Sequence, residues 1–217
     1  MYRIGIVDDV PADRADIQVT VLDTCSDKNA VQFKDYELLN RKKDHILEEI
    51  INDVTDGQIQ ALIVDFRLDT TADVIEGWEI VKFVHDGAPE FPMVILTHAP
   101  MEGKESPYTD ADKVYAKKSF LKLSSPESRS MVENIFLNID RYVKNRENLE
   151  TSLELELRKL DQNSTDEEIL RHIMELETRL SGYKKMDQTV FDTKLDFSEL
   201  KDALDDLKKY EELLGSR

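Results

Sequence analysis

A doubly wound α/β sheet followed by a helical region is the fold class the sequence predicts, and three observations lead there. Short apolar runs alternate with amphipathic stretches through residues 1–125. The runs are apolar on both faces, as parallel strands covered by helices on each side require. Beyond Ser124-Ser125-Pro126 the period becomes heptad-like, glycine recurs only at Gly182 and Gly215, and Pro126 is the last proline. The first unit is therefore 1–125, an alternating strand–helix domain. The second is 126–217, a helical hairpin or coiled-coil region.

The elements follow in chain order. Residues 3–7 (RIGIV) read as the first strand and run into Asp8-Asp9-Val10-Pro11. Residues 11–25 are amphipathic, with Pro11 placed as a first-turn proline. The second strand is expected within 30–38. Residues 40–54 carry Leu47, Ile50, Ile51 and Val54 at helical spacing. Residues 60–64 (QALIV) form the third strand and end at Asp65, and 76–85 form a helix through Ile80, Val81, Phe83 and Val84. Residues 92–96 (PMVIL) end at Thr97, and 113–118 (KVYAKK) form the fifth strand. The segment 100–112 holds Pro100, Gly103 and Pro107 with almost no apolar period, so a shortened or irregular element is expected there.

Ser125 before Pro126 reads as a helix start. From there Val132, Ile135, Ile139, Tyr142, Arg146, Leu149, Leu153, Glu156 and Leu160 step by three and four. No glycine or proline interrupts 127–160, so one helix continuing to about residue 160 is expected. Ser164-Thr165-Asp166-Glu167 reads as a capping box before a second helix over 165–186. A third stripe runs through Phe197, Leu200, Leu204 and Leu207, within a helix expected over 198–214. A stripe this long outruns what two shorter helices cover, so it predicts a homodimer through a coiled coil, against the alternative of an intrachain bundle. Arg146 and Glu156 are polar interruptions of the kind that fix register.

Composition bounds the function. The chain has 217 residues, 29 Lys+Arg against 46 Asp+Glu, and a net charge of −17. Residues 126–217 alone carry 15 basic and 22 acidic residues. Nucleic acid and anionic membrane surfaces are thus disfavoured as partners, because both need clustered Lys and Arg. No apolar run approaches the roughly 18–20 residues that span a bilayer. Cys25 is the only cysteine, which excludes an intrachain disulfide and a Cys-based metal site. The first seven residues lack a signal-peptide pattern, and a reducing cytoplasmic location is expected.

In an open α/β sheet, ligands sit outside the carboxyl ends of the strands. Those ends carry Asp8, Asp9, Asp65, Thr97 and Lys118. Three gathered carboxylates need a cation, and an all-oxygen set suits Mg²⁺. A lysine and a threonine hydroxyl beside them can hold phosphoryl oxygens, and a central aspartate can accept a phosphoryl group.

The order of these residues, with IVDD at 6–9, LIVDFRL at 62–68, EGWEIV at 76–81, VILT at 94–97 and YAKKSF at 115–120, resembles the response-regulator receiver domain of two-component signalling. The resemblance covers about residues 1–145. It implies a flavodoxin-like, five-stranded parallel sheet in the order 2-1-3-4-5. It implies Asp65 as phosphoacceptor, and Mg²⁺ held by Asp8, Asp9, Asp65 and the backbone carbonyl of Arg67. It further implies Thr97 as the switch hydroxyl, Tyr115 as the aromatic that follows it, and Lys118 as the phosphate partner, with Lys117 adjacent. The implied donor is a sensor histidine kinase or phosphotransfer protein.

Some features depart from that pattern. The family's Lys-Pro is Lys118-Ser119 here. His98 stands where a small residue is usual, the stretch from Asp9 to Asp65 is longer than usual, and 69–75 adds Asp69 and Asp73 near the site. The rival of an aspartate-based phosphatase fails on Arg67, which occupies the position where that class needs its second aspartate. The expected function is a response regulator whose helical region binds an unidentified protein target rather than DNA, with no activity beyond its own phosphorylation and dephosphorylation. The alternative is a phosphorylation-independent scaffold.

Overall fold

Val, Ile and Leu alternate between two buried faces in each apolar run, and this sets the layering. A computed structural model describes residues 1–68, 75–98, 113–162, 167–186 and 189. The strands are β1 (Tyr2–Val7), β2 (Val31–Asp35), β3 (Ala61–Asp65), β4 (Met93–Thr97) and β5 (Val114–Ala116). All pair in parallel, in the order β2-β1-β3-β4-β5. This is the expected flavodoxin-like arrangement.

On one face, Ile4, Ile6, Ile63 and Leu96 pack beneath Ile17 and Val21 of α1 (Pro11–Thr24) and Val132, Ile135 and Ile139 of α5 (Pro126–Gln162). On the other, Val7, Leu62, Val64 and Ile95 pack against α2 (Lys43–Thr55) and α3 (Gly77–Gly87) through Ile46, Ile50, Ile80 and Val84. Helices on both faces explain why the strands read as continuous apolar runs. Gly57 follows α2 with φ +67°, and its left-handed backbone closes that helix.

Two boundaries differ from expectation. Asp65 is the last residue of β3 rather than the residue after it. β5 ends at Ala116, and Lys117–Phe120 is a single helical turn, α4. The region 113–118 is therefore not all strand.

The long helix begins as read. The Ser125 hydroxyl oxygen accepts from the Ser128 N–H at 3.1 Å, which satisfies one of the free donors at a helix start. α5 runs 37 residues. The predicted stripe is its buried side: Val132, Ile135, Ile139, Tyr142, Leu149 and Leu160 are buried. The first half of the stripe lies on the sheet domain. The second half meets α6 (Glu167–Leu180), which folds back along it and buries Ile173 and Leu180. The stripe is covered within one chain, so its burial requires no second chain.

Arg146, read as a polar interruption, is an anchor. Its guanidinium donates to the carbonyls of Val54 at 2.8 Å and Thr55 at 2.5 Å, at the end of α2, and to Glu150 at 3.1 Å. The segment after α6 docks beside it. The Tyr142 hydroxyl donates to the Tyr183 carbonyl at 2.7 Å, the Glu90 N–H to the Gly182 carbonyl at 2.8 Å, and Lys184 to Glu150 at 2.7 Å. These contacts tie the hairpin to the sheet's amino-terminal edge. Among the described residues, no helix is long and apolar enough to cross a membrane. The loop with Asp69 and Asp73, the segment 100–112, the cap residues 164–166 and the helix expected over 198–214 lie outside the described residues.

Candidate functional site

Three parallel strands deliver polar groups to one edge of the sheet. β1 leads directly into Asp8, β3 ends in Asp65 and β4 ends in Thr97. All three are buried, at 0%, 7% and 1% exposure. Their neighbours are held by the chain itself. Asp8 Oδ1 accepts from the Val10 N–H at 2.9 Å, and Arg14 donates to the Asp8 carbonyl at 2.5 Å. Asp65 Oδ1 accepts from the Arg67 N–H at 3.2 Å.

The lysine of the site is Lys117, and this corrects the expectation of Lys118. Lys117 Nζ lies 2.7 Å from Asp8 Oδ2, 2.6 Å from Asp65 Oδ2 and 2.6 Å from Asp13 Oδ2. It is 1% exposed, whereas Lys118 is exposed. The helical turn beginning at Lys117 is the reason. The first residue of the turn points back over the strand ends, and the next is rotated about 100° away, toward solvent.

Asp13 is the other residue that sequence reasoning missed. It sits in the first turn of α1, where an acid ordinarily reads as a favourable partner of the helix dipole. No local signal separates that role from a place in the site. The remaining expected residues are near but differently disposed. Asp9 is half-buried next to Asp8, and Arg67 is exposed. Tyr115 is half-buried on β5 and pairs in register with Leu96, as Ala116 does with Thr97. His98 is exposed.

Burial and charge oppose each other here. Burial pushes the Asp8 carboxyl above its usual range, and its hydrogen bonds from Lys117 and Val10 only partly offset this. Burial alone would depress Lys117. Its bonds to Asp13, Asp65 and Asp8 outweigh that, holding the ammonium above the ordinary lysine value. Lys117 therefore stays charged and partly neutralises the acids. Three carboxylates still face one ammonium.

The donor set fits a divalent cation. Asp8, Asp13 and Asp65 each offer an oxygen, and these atoms lie within 4.8 Å of one another. Carboxylate oxygens without nitrogen or sulfur suit Mg²⁺. Among the described residues, Asp13 joins this converging set and Asp9 does not.

Glycine shapes the floor of the site. A Cβ on Gly77 would stand 2.0 Å from the Asp65 carbonyl oxygen, and the Gly77 N–H donates to the Phe66 carbonyl at 3.1 Å. The amino terminus of α3, closed by the Glu76–Glu79 capping box, is thereby seated directly on the backbone of Asp65. Gly77→Ala must push α3 and Asp65 apart. The expected cost is about 1–3 kcal/mol of stability, read by denaturant unfolding, with weaker Mg²⁺ binding read by calorimetry. Unchanged values for both would mean that the backbone relaxes freely there.

No family model matches the chain, and no curated protein matches it. Two solved structures of the RcsB response regulator of Salmonella typhimurium, a protein described for conformational dynamism in DNA interaction, are similar in part. One is 16% identical with a TM-score of 0.40, covering 86% of this chain and 94% of that one. The other is 15% identical with a TM-score of 0.39, covering 86% and 95%. Likeness at this level carries no argument about activity, and the fold assignment rests on strand order and pairing.

Proposed function

We propose that this chain is a response regulator that accepts a phosphoryl group on Asp65 from a histidine kinase or phosphotransfer protein, with Mg²⁺. The observation that carries the reading is the convergence of Asp8, Asp13, Asp65 and Lys117 beside Thr97, at the strand edge where open α/β sheets take ligands.

An Asp65 carboxylate oxygen attacks phosphorus and forms an O–P bond. The P–N bond to the donor imidazole breaks, and the imidazole leaves with the electron pair and takes up a proton. Lys117 then exchanges a carboxylate contact for a phosphoryl oxygen, as a charge-assisted hydrogen bond. The Thr97 hydroxyl donates to a second oxygen, and Tyr115 follows on the neighbouring strand. Mg²⁺, when bound, would neutralise charge on the phosphoryl oxygens; Asp8 and Asp65 would hold it, with Asp9 adjacent and Asp13 bonded to Lys117. Hydrolysis of the aspartyl phosphate resets the site, and no other reaction is assigned to the chain.

Output is assigned to protein binding on the outer face of the α5–α6 hairpin. The acidic balance of residues 126–217 supports this over DNA binding. A scaffold that is never phosphorylated is the second reading. It is favoured by one observation: all three donors of Lys117 are engaged by the protein's own carboxylates.

Incubation with phosphoramidate and Mg²⁺ decides between them. The expected result is a hydroxylamine-sensitive label that maps to Asp65 after borohydride reduction and is lost with a chelator. A label on another residue overturns the assignment of Asp65. Absence of label selects the scaffold.

A further inference from the structure

We propose that Asp13 is a brake on phosphoryl transfer, holding Lys117 against the incoming phosphoryl oxygen. The inference rests on Asp65 being the phosphoacceptor. An ammonium has three N–H donors. Those of Lys117 are engaged by Asp8, Asp65 and Asp13 at 2.6–2.7 Å. A phosphoryl oxygen can gain this partner only if a carboxylate gives it up.

The three carboxylates are not equally able to yield. Asp8 has no exposed side-chain surface, and its other oxygen is held by the Val10 N–H. Releasing it would leave a buried charge with a lost partner. Asp65 carries the phosphoryl group itself. Asp13 lies at the start of α1 with 29% of its side chain exposed, so water can replace Lys117. It is the carboxylate that can leave at least cost.

Asp13 opposes the transfer in two ways. It competes for the ammonium, and its negative charge faces an incoming anion. The usual reading of an acid in the first turn, a helix-dipole partner, predicts neither effect. Asp13 is thus a positioning residue, acting through Lys117.

The test compares Asp13→Asn with the wild type in the full chain. Phosphoramidate labelling is measured at saturating Mg²⁺, affinity for the phosphoryl mimic beryllofluoride by fluorine NMR, and Mg²⁺ affinity by calorimetry. Labelling rate and beryllofluoride affinity should both rise about five- to tenfold, the size of one charge-assisted contact in a partly solvated site. Mg²⁺ binding should weaken by no more than about threefold, as loss of one partly solvated charge that bonds Lys117 rather than the cation implies. Asp13→Ser must behave the same way, which separates loss of charge from any effect of the amide.

Unchanged rate and mimic affinity overturn the brake. Mg²⁺ affinity reduced about tenfold or more, with slower labelling, overturns it in favour of Asp13 as a cation ligand. A wild type that takes no phosphoryl group overturns both this inference and the phosphoacceptor reading. A labelled wild type with an unaltered variant overturns the brake alone.

Discussion

Lys117→Met is expected to destabilise the protein by about 3–5 kcal/mol and to abolish a productive phosphoryl site. The variant keeps the apolar stem but removes the ammonium from among three carboxylates. Removing one partner of a buried ion pair leaves its counter-charges uncompensated, and that cost is in this range. For a chain of this size the fall in Tm is about 6–20 °C. Lys118→Met, one residue along and exposed, should change stability by less than about 0.5 kcal/mol and leave labelling intact. The pair tests the corrected register directly. If Lys118→Met loses the label and Lys117→Met keeps it, the site is misread.

The Lys117→Met deficit should shrink in mild acid. Burial raises the folded-state value of Asp8 above the ordinary carboxylate range. A carboxyl raised on folding destabilises the fold as pH climbs through that value, and its penalty disappears as pH falls below it. Without Lys117 the bonds that partly offset burial are gone, so Asp8 protonates at still higher pH. Urea midpoints of the variant should therefore approach those of the wild type as pH is lowered toward 4. Asp65→Asn provides the contrast. It removes one acid from a cluster short of positive charge, so it should cost little stability while eliminating the label.

Arg146→Met is expected to cost about 3–6 kcal/mol and to loosen the hairpin from the sheet domain. Two carbonyls at the end of α2 lose a charged donor, and each such bond is worth about 1.5–3 kcal/mol. The guanidinium also sits where the α2 dipole favours a cation. Hydrogen exchange is the informative measurement. Protection should fall over α6 and residues 180–184, while β1, β3 and β4 keep theirs. Equal protection in variant and wild type would mean that the packing of Tyr142, Phe91 and Tyr183 suffices to hold the hairpin.

The same network gives a pH response of known sign. Burial pushes Glu150 up, but its bonds to Lys184 and Arg146 outweigh this and hold it below the ordinary glutamate value. Its contribution is present above that value and is lost as pH falls through the lowered folded value. In Arg146→Met one of the two holding groups is gone, so the contribution should be smaller and its loss complete at a higher pH.

Local periodicity settled most of the architecture from sequence. Runs apolar on both faces require cover on both sides, and β1, β3 and β4 are buried accordingly. The stripe from Val132 to Leu160 repeats every three to four residues, and it is the buried side of α5. The Ser125 cap was legible because a hydroxyl before Pro126 satisfies a donor that every helix start leaves open. Asp8, Asp65 and Thr97 were legible because a strand's end is a definite place in an open sheet.

Other decisions needed the tertiary structure, because they turn on angle and partner rather than period. Whether Lys117 or Lys118 enters the site depends on the residue at which β5 turns into α4, and about 100° of rotation separates two identical side chains. Asp13 looks like any first-turn acid until α1 is set against β3 and β5. A stripe reports that a helix face is buried but not what covers it; α6 and the sheet domain do so, where a second chain was expected. Arg146 breaks the apolar pattern in either case, and only the end of α2, 91 and 92 residues away in sequence, gives its charge a partner.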